Sequence, residues 1–89
     1  MSYSLRYLED VVREHIPHLP PTIRIRIKQA IEQRLAVDPV GLGKPLRYSF
    51  AGHRRLRVGD YRVVYRIEAE RKTVIIVAIK HRKDIYEDG

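Results

Sequence analysis

Cysteine is absent from all 89 residues, which excludes a disulfide frame and any thiolate zinc site and makes an intracellular, cytoplasmic home the expectation. Long apolar runs are missing too. The longest, Val74 to Ile79, falls far short of the roughly 20 residues a membrane-spanning helix needs, so no membrane partner is expected. The opening residues Met1-Ser2-Tyr3-Ser4-Leu5-Arg6 contain no signal-peptide apolar region. There is no glycine-rich phosphate loop and no serine in a nucleophile setting. The histidines His15, His18, His53 and His81 have no carboxylates at metal-ligand spacing, so neither a metal nor another cofactor is expected. Without repeats, linkers or low-complexity segments, residues 1–89 read as one domain, large enough for a core of its own. Negative charge is the last shortage. The formal net charge is +7 and the pI about 10.1, a balance that points to nucleic acid, an acidic protein partner, or both.

What is present is organised around residues 53–67. Gly59-Asp60 separates two runs rich in Val, Tyr and Ile, the pattern of a β-hairpin with a two-residue turn. Pairing outward from the turn sets Val58 opposite Tyr61, Leu56 opposite Val63 and Arg54 opposite Tyr65. The alternate set matches Arg57 with Arg62, Arg55 with Val64 and His53 with Arg66. Leu56, Val58, Tyr61, Val63, Tyr65 and Ile67 then share one face; His53, Arg55, Arg57, Arg62 and Arg66 share the other with Val64. Like charges placed opposite one another oppose folding. A solvated face or protection of a sheet edge accounts for any one of these arginines, but the set, with no carboxylate interleaved, points to a surface for a polyanion.

Residues 2 to 7 alternate as a first strand. Leu8, Val11, Val12 and His15 or Ile16 follow helical spacing until Pro17 ends the helix. After the connector His18-Leu19-Pro20-Pro21, residues 22 to 37 offer two patterns: Ile23, Ile25 and Ile27 alternate like a strand, whereas Ile23, Ile27, Ala30, Ile31 and Leu35 recur at helical intervals. The longer pattern and good helix formers such as Lys28, Gln29 and Glu32 decide for a helix, stopped by Asp38-Pro39. Val40 to Pro45 reads as a loop, Leu46 to Phe50 as a short strand, and Thr73 to Lys80 as a central strand. Residues 81 to 89 form a polar tail. The sum is an α+β domain of two layers in the order β-α-α-β-β-β-β, an N-terminal strand and a helical hairpin on a largely antiparallel sheet, with the basic face open.

That face has the components for one reaction. Cleaving RNA through its own 2′-hydroxyl needs a base for that hydroxyl, cations for the charge on phosphorus, and an acid for the leaving oxygen. His53 and His81 border the basic face, while His15 and His18 flank Pro17 at a helix end expected to be solvated. His53, His81 and Tyr86 are candidates for proton transfer, and Arg55, Arg62 and Arg82 for charge stabilisation. Arg57, Arg66, Lys80 and Lys83 add phosphate contacts. Tyr86 as a packing anchor, and His81 as an ordinary strand-end residue, are the competing readings.

The run Gly52-His53-Arg54-Arg55-Leu56-Arg57-Val58-Gly59-Asp60-Tyr61-Arg62-Val63-Val64-Tyr65-Arg66-Ile67, followed by Ala78-Ile79-Lys80-His81-Arg82-Lys83-Asp84-Ile85-Tyr86, resembles the RelE/ParE superfamily of bacterial toxins. Arg34-Leu35, Asp38-Pro39 and Gly43-Lys44-Pro45-Leu46 agree with it upstream. The resemblance implies a RelE-like fold and a toxin–antitoxin module. In the RelE branch it implies cleavage of messenger RNA on the ribosome, with Arg62, the pair His53 and Arg55, and the pair Arg82 and Tyr86 as the matching positions. His53 departs from the lysine found in the best-known branch member. The ParE branch shares the fold but inhibits DNA gyrase without cutting RNA. Expected partners are a cognate antitoxin with an acidic segment, the ribosome and messenger RNA.

Overall fold

The computed structural model describes residues 2–46 and 51–84. Strand β1, Ser4–Tyr7, turns Leu5 and Tyr7 toward the core and leaves Ser4 and Arg6 exposed. A wide π-type turn, Val11–His15, follows, closed by the Ile16 N–H donating to the Val11 carbonyl at 2.9 Å. Helix α1, Pro21–Ala30, starts on a proline whose missing N–H is no loss at that position. It runs on into a second π-type turn, Ile31–Leu35. Ile27, Ile31 and Leu35 are buried while Ile25 is 58 % exposed, so helical spacing, not the strand-like alternation, governs this segment. Helix α2, Pro39–Leu42, is a single turn capped by Asp38, whose carboxylate accepts from the Gly41 N–H at 2.9 Å.

Strands β2 (Lys44–Pro45), β3 (Arg54–Val58), β4 (Tyr61–Glu68) and β5 (Thr73–His81) complete the sheet, and a 3₁₀ turn, Arg82–Asp84, ends the described chain. The sheet has five strands in the order β1-β5-β4-β3-β2. Among the described residues only the β1–β5 pair is parallel. The two-layer α+β architecture is therefore as expected, and β5 has a neighbour on each side. Two local expectations need correction. The stretch Val40 to Pro45 is not simply a loop, because it contains most of α2 and all of β2. Leu46, expected to open a short strand, lies just past β2 and outside any strand, and residues 47–50 of that expected strand lie outside the described residues.

The β3–β4 register is the one read from the sequence, from Val58 opposite Tyr61 to Arg54 opposite Tyr65. Gly59 opens the turn with φ +59°, a conformation that costs glycine no Cβ clash. Leu56, Val58, Val63 and Tyr65 meet Ile27, Ala30, Ile31 and Leu35 in the core, with Val74, Ile76 and Ile79 from β5. The Tyr65 hydroxyl, buried, donates to the Pro39 carbonyl at 2.6 Å. Beside it, one Arg54 nitrogen donates to the carbonyls of Val40 and Gly43 at 2.7 Å each. These bonds fasten α2 to the sheet and so fix the approach to β2. Burial raises the Tyr65 pKa, and Arg54 opposes that shift.

A bulge separates the pairs Val64–Ala78 and Tyr65–Ile76. One extra residue on β5 exchanges the faces of that strand across the break. Val74 and Ile76 point to the helices on one side of it, Ile79 on the other, and Lys80 falls opposite Arg62 on the open face.

Candidate nucleic-acid interface

The open face is built in rows. Arg57, Arg62 and Lys80 are direct neighbours on β3, β4 and β5. With strands about 4.8 Å apart, the row brings three cations within roughly 10 Å. The next row, about 7 Å along the strands, holds Lys44, Arg55, Val64 and Ala78. The third holds Arg66, Ile75 and Arg6. Val64 and Ile75 are only 3 % and 6 % exposed, so the cations stand on an apolar floor.

The two ends of this face differ. At the hairpin-turn end, the Arg57 Nε donates to the Gly59 carbonyl at 3.3 Å. Arg82 joins the same end, its N–H donating to the Asp60 carbonyl at 2.8 Å. The Arg82 Nε lies 3.9 Å from the Asp60 carboxylate, an exposed contact that contributes little. At the other end Arg66 pairs with Glu68 at 3.4 Å. Glu68 is the last residue of β4 and shares the face of Arg62 and Arg66 by alternation. The expectation of a face free of carboxylates is thus corrected, because β4 continues one residue into what reads as a polar turn.

Two of the four histidines, His15 and His81, are arranged otherwise than expected. His53 lies just before β3, two rows from Arg57, and its Nδ1 is buried without a hydrogen-bond partner among the described residues. His81 pairs with Tyr61, a residue of the helix side, and their rings meet edge to face at 5.1 Å. One position beyond Lys80, it points away from the basic face; strand alternation is the reason. His15 is not solvated as a helix end would be. Past Ile76, β1 no longer covers the outer edge of β5. There Leu8 donates to the Ile76 carbonyl at 3.1 Å, and the Ile79 N–H donates to His15 Nδ1 at 3.1 Å. Burial, with Lys80 and His18 adding to it, holds the His15 pKa below the usual histidine value. Only His18 is exposed, its Nδ1 donating to the Glu14 carbonyl.

Of the residues singled out from the sequence, the fold brings Arg57, Arg62, Lys80 and Arg82 to one end, with Arg55 one row away. Lys83 is exposed in the 3₁₀ turn; Tyr86 lies outside the described residues. Two cations of the face went unread, Lys44 and Arg6. The alternation of Tyr3, Leu5 and Tyr7 already sets Arg6 on the opposite side of β1, but not which strand β1 joins. Lys44 sits in a two-residue strand too short to show a period. Among the described residues no three His, Cys, Asp or Glu side chains gather as a metal site, and no helix is long and apolar enough to cross a membrane.

Known proteins resemble this chain in sequence and in fold. The family model described as the ParE toxin of type II toxin–antitoxin systems matches residues 4–86. Toxin RelG of Mycobacterium tuberculosis is 38 % identical over 86 residues, spanning 97 % of this chain and 98 % of the relative. Toxin RelE of the same organism is 37 % identical over 71 residues, 80 % of this chain and 73 % of the relative. Among solved structures, the toxin–antitoxin complex RelBE2 from M. tuberculosis contains a chain that superposes with a TM-score of 0.85 at 35 % identity, over 92 % of this chain and 100 % of that one.

Proposed function

The chain belongs to the RelE/ParE superfamily of toxins of type II toxin–antitoxin systems, and from that premise we propose that it acts in the cytoplasm as an endoribonuclease that cuts messenger RNA on the ribosome and halts translation. The observation that carries this reading is the row Arg57–Arg62–Lys80, with Arg82 at the same end. Guanidinium forks and an ammonium converging there match the non-bridging oxygens of a phosphate.

In the proposed reaction the 2′-oxygen attacks the adjacent phosphorus and the bond to the 5′-oxygen breaks. A 2′,3′-cyclic phosphate and a 5′-hydroxyl result. The 2′-hydroxyl proton passes to a base, and an acid delivers a proton to the leaving oxygen. Arg62 and Lys80 offset the charge on phosphorus, supported by Arg57 and Arg82; Arg55 and Lys44 hold the next phosphate of the strand. Tyr86, four residues past Arg82 in the chain, is assigned to proton transfer, and His53 serves a substrate that reaches the second and third rows. His81, on the helix side of the sheet, is left out of this set. The antitoxin of this toxin is proposed to cover the open basic face with an acidic, amphipathic segment that folds on binding.

The test is expression in bacteria with mapping of transcript 5′ ends, for the wild type and Arg62→Ala. Cuts inside translated reading frames, lost in the variant, support the nuclease. Intact transcripts together with damaged DNA would instead assign a gyrase-directed toxin that cuts no RNA.

A further inference from the structure

On the helix side of the sheet, beyond the end of β1, a cleft of about 330 Å³ opens between the Val11–His15 turn and the C-terminal end of β5. We propose that this cleft holds one unstacked nucleobase of the RNA strand whose phosphate lies on the Arg57–Arg62–Lys80 row, an inference that rests on the nuclease reading of the open face.

The lining suits a flat heteroaromatic ring. Leu19 and Ile79, 5 % and 4 % exposed, give it an apolar floor. Tyr61 and His81 form a wall of two rings held edge to face at 86°, and aromatic faces of this kind bind unpaired bases by stacking. The polar groups are already oriented. His15 Nδ1 accepts from the Ile79 N–H and His81 Nδ1 accepts from the Lys83 N–H at 3.2 Å. Each neutral ring therefore carries its proton on Nε2, as a donor. His18 Nδ1 donates to the Glu14 carbonyl, so in the neutral ring its Nε2 is an acceptor. Tyr61 and Glu14 add a hydroxyl and a carboxylate to the lining, and Lys80 borders it. Donors and acceptors thus stand together around an apolar floor, as they do along the edge of a base.

An anion fits this lining poorly. It would meet the Glu14 carboxylate and a His15 whose burial favours the neutral ring. Continuity with the open face is supplied by β5 itself. Lys80 belongs to the cation row and also lines the cleft, while the next residue, His81, points to the opposite side. A strand crossing the end of β5 can therefore set a phosphate on one side and a base on the other.

The experiment is a titration of the full chain, carrying Arg62→Ala so that cells tolerate it, followed by NMR of the histidine and tyrosine rings. The probes are adenosine, guanosine, cytidine and uridine, uncharged, and inorganic phosphate alone. At least one nucleoside is expected to shift the ring signals of His15, His18, His81 and Tyr61 saturably, and phosphate to leave them unmoved. His18→Ala, which removes an exposed ring and leaves the core intact, should weaken that binding about tenfold or more. The proposal is overturned if none of the four nucleosides moves these signals, if phosphate alone moves them equally, or if His18→Ala binds as tightly as its parent. Base binding without transcript cuts by the wild type would sink the nuclease reading and keep the cleft as a base site. Cuts without base binding would sink only the cleft.

Discussion

Val63 and Val64 are adjacent, of one residue type, and almost equally hidden, at 0 % and 3 % exposure, yet they belong to different parts of the molecule. Val63 lies between Leu56 and Ile79, in the core under α1. Val64 lies between Arg55 and Ala78 on the open face, with Arg62 and Arg66 before and after it on the same side of β4. Arginine stems are long enough to lie over such a residue while their charged heads stay in water. Burial alone therefore does not separate scaffold from site. The neighbours do: apolar side chains from a second layer on one face, cations from β3 and β4 on the other.

The largest effect expected from this contrast is on stability. Val63→Asp places a carboxylate among apolar side chains with no cation in reach and should cost at least ~3 kcal/mol. Val64→Asp places the same group among arginines and should cost far less, at the expense of RNA binding. Denaturant unfolding of the two variants checks this; equal losses would mean that the open face is as much core as the helix face.

Next comes the proposed chemistry. Donors aimed at developing charge typically contribute ~2.7–4 kcal/mol each, so Arg62→Ala should slow cleavage by roughly 100- to 1000-fold with stability little changed. Tyr86→Phe keeps the ring and removes the hydroxyl. A loss of about 100-fold is expected if that hydroxyl moves a proton, and an unchanged rate would make Tyr86 a packing anchor. Both are read as rates of cutting on ribosome-bound messenger RNA.

A smaller effect separates the two ends of the same face. Arg57→Ala should flatten the salt dependence of RNA binding by about 0.7 in log–log slope, the share of one phosphate contact on a single strand. Arg66→Ala should do less, because its guanidinium already pairs with Glu68. Glu68→Gln should then raise the contribution of Arg66. Equal slopes for Arg57→Ala and Arg66→Ala would erase the distinction between the ends.

Much of this was legible in the sequence, for physical reasons. The hairpin register follows from a two-residue turn and strict alternation, and helical spacing in residues 23–35 outweighs a three-isoleucine alternation because it persists over more turns. The site was legible only in part. A face is a local property of one hairpin, but a row needs the neighbouring strands in register, and the β5 register depends on a bulge that leaves no period in the apolar run Val74 to Ile79. That is why Lys80 falls in line with Arg62 while His81 turns to the other side. Contacts across long sequence separations were equally silent: nothing near His15 in the chain announces the Ile79 N–H, 64 positions away.

That contact carries the smallest and most specific prediction. His15 Nδ1 accepts from Ile79, and a protonated ring cannot accept there. Burial is the main reason its pKa lies below 6.5, Lys80 and His18 push the same way, and Asp10 and Glu14 push back. The folded state therefore binds fewer protons than the unfolded chain in the window between the folded value and about 6.5. The contribution of His15 is complete above that window and is lost as pH falls through the folded pKa. His15→Gln retains an acceptor for the Ile79 N–H and has no proton to bind. Between about pH 6.5 and 5, the denaturant midpoint of the wild type should fall more than that of His15→Gln, while other titrating groups lower both alike. Parallel curves would show that the β5 edge is held without help from the neutral imidazole.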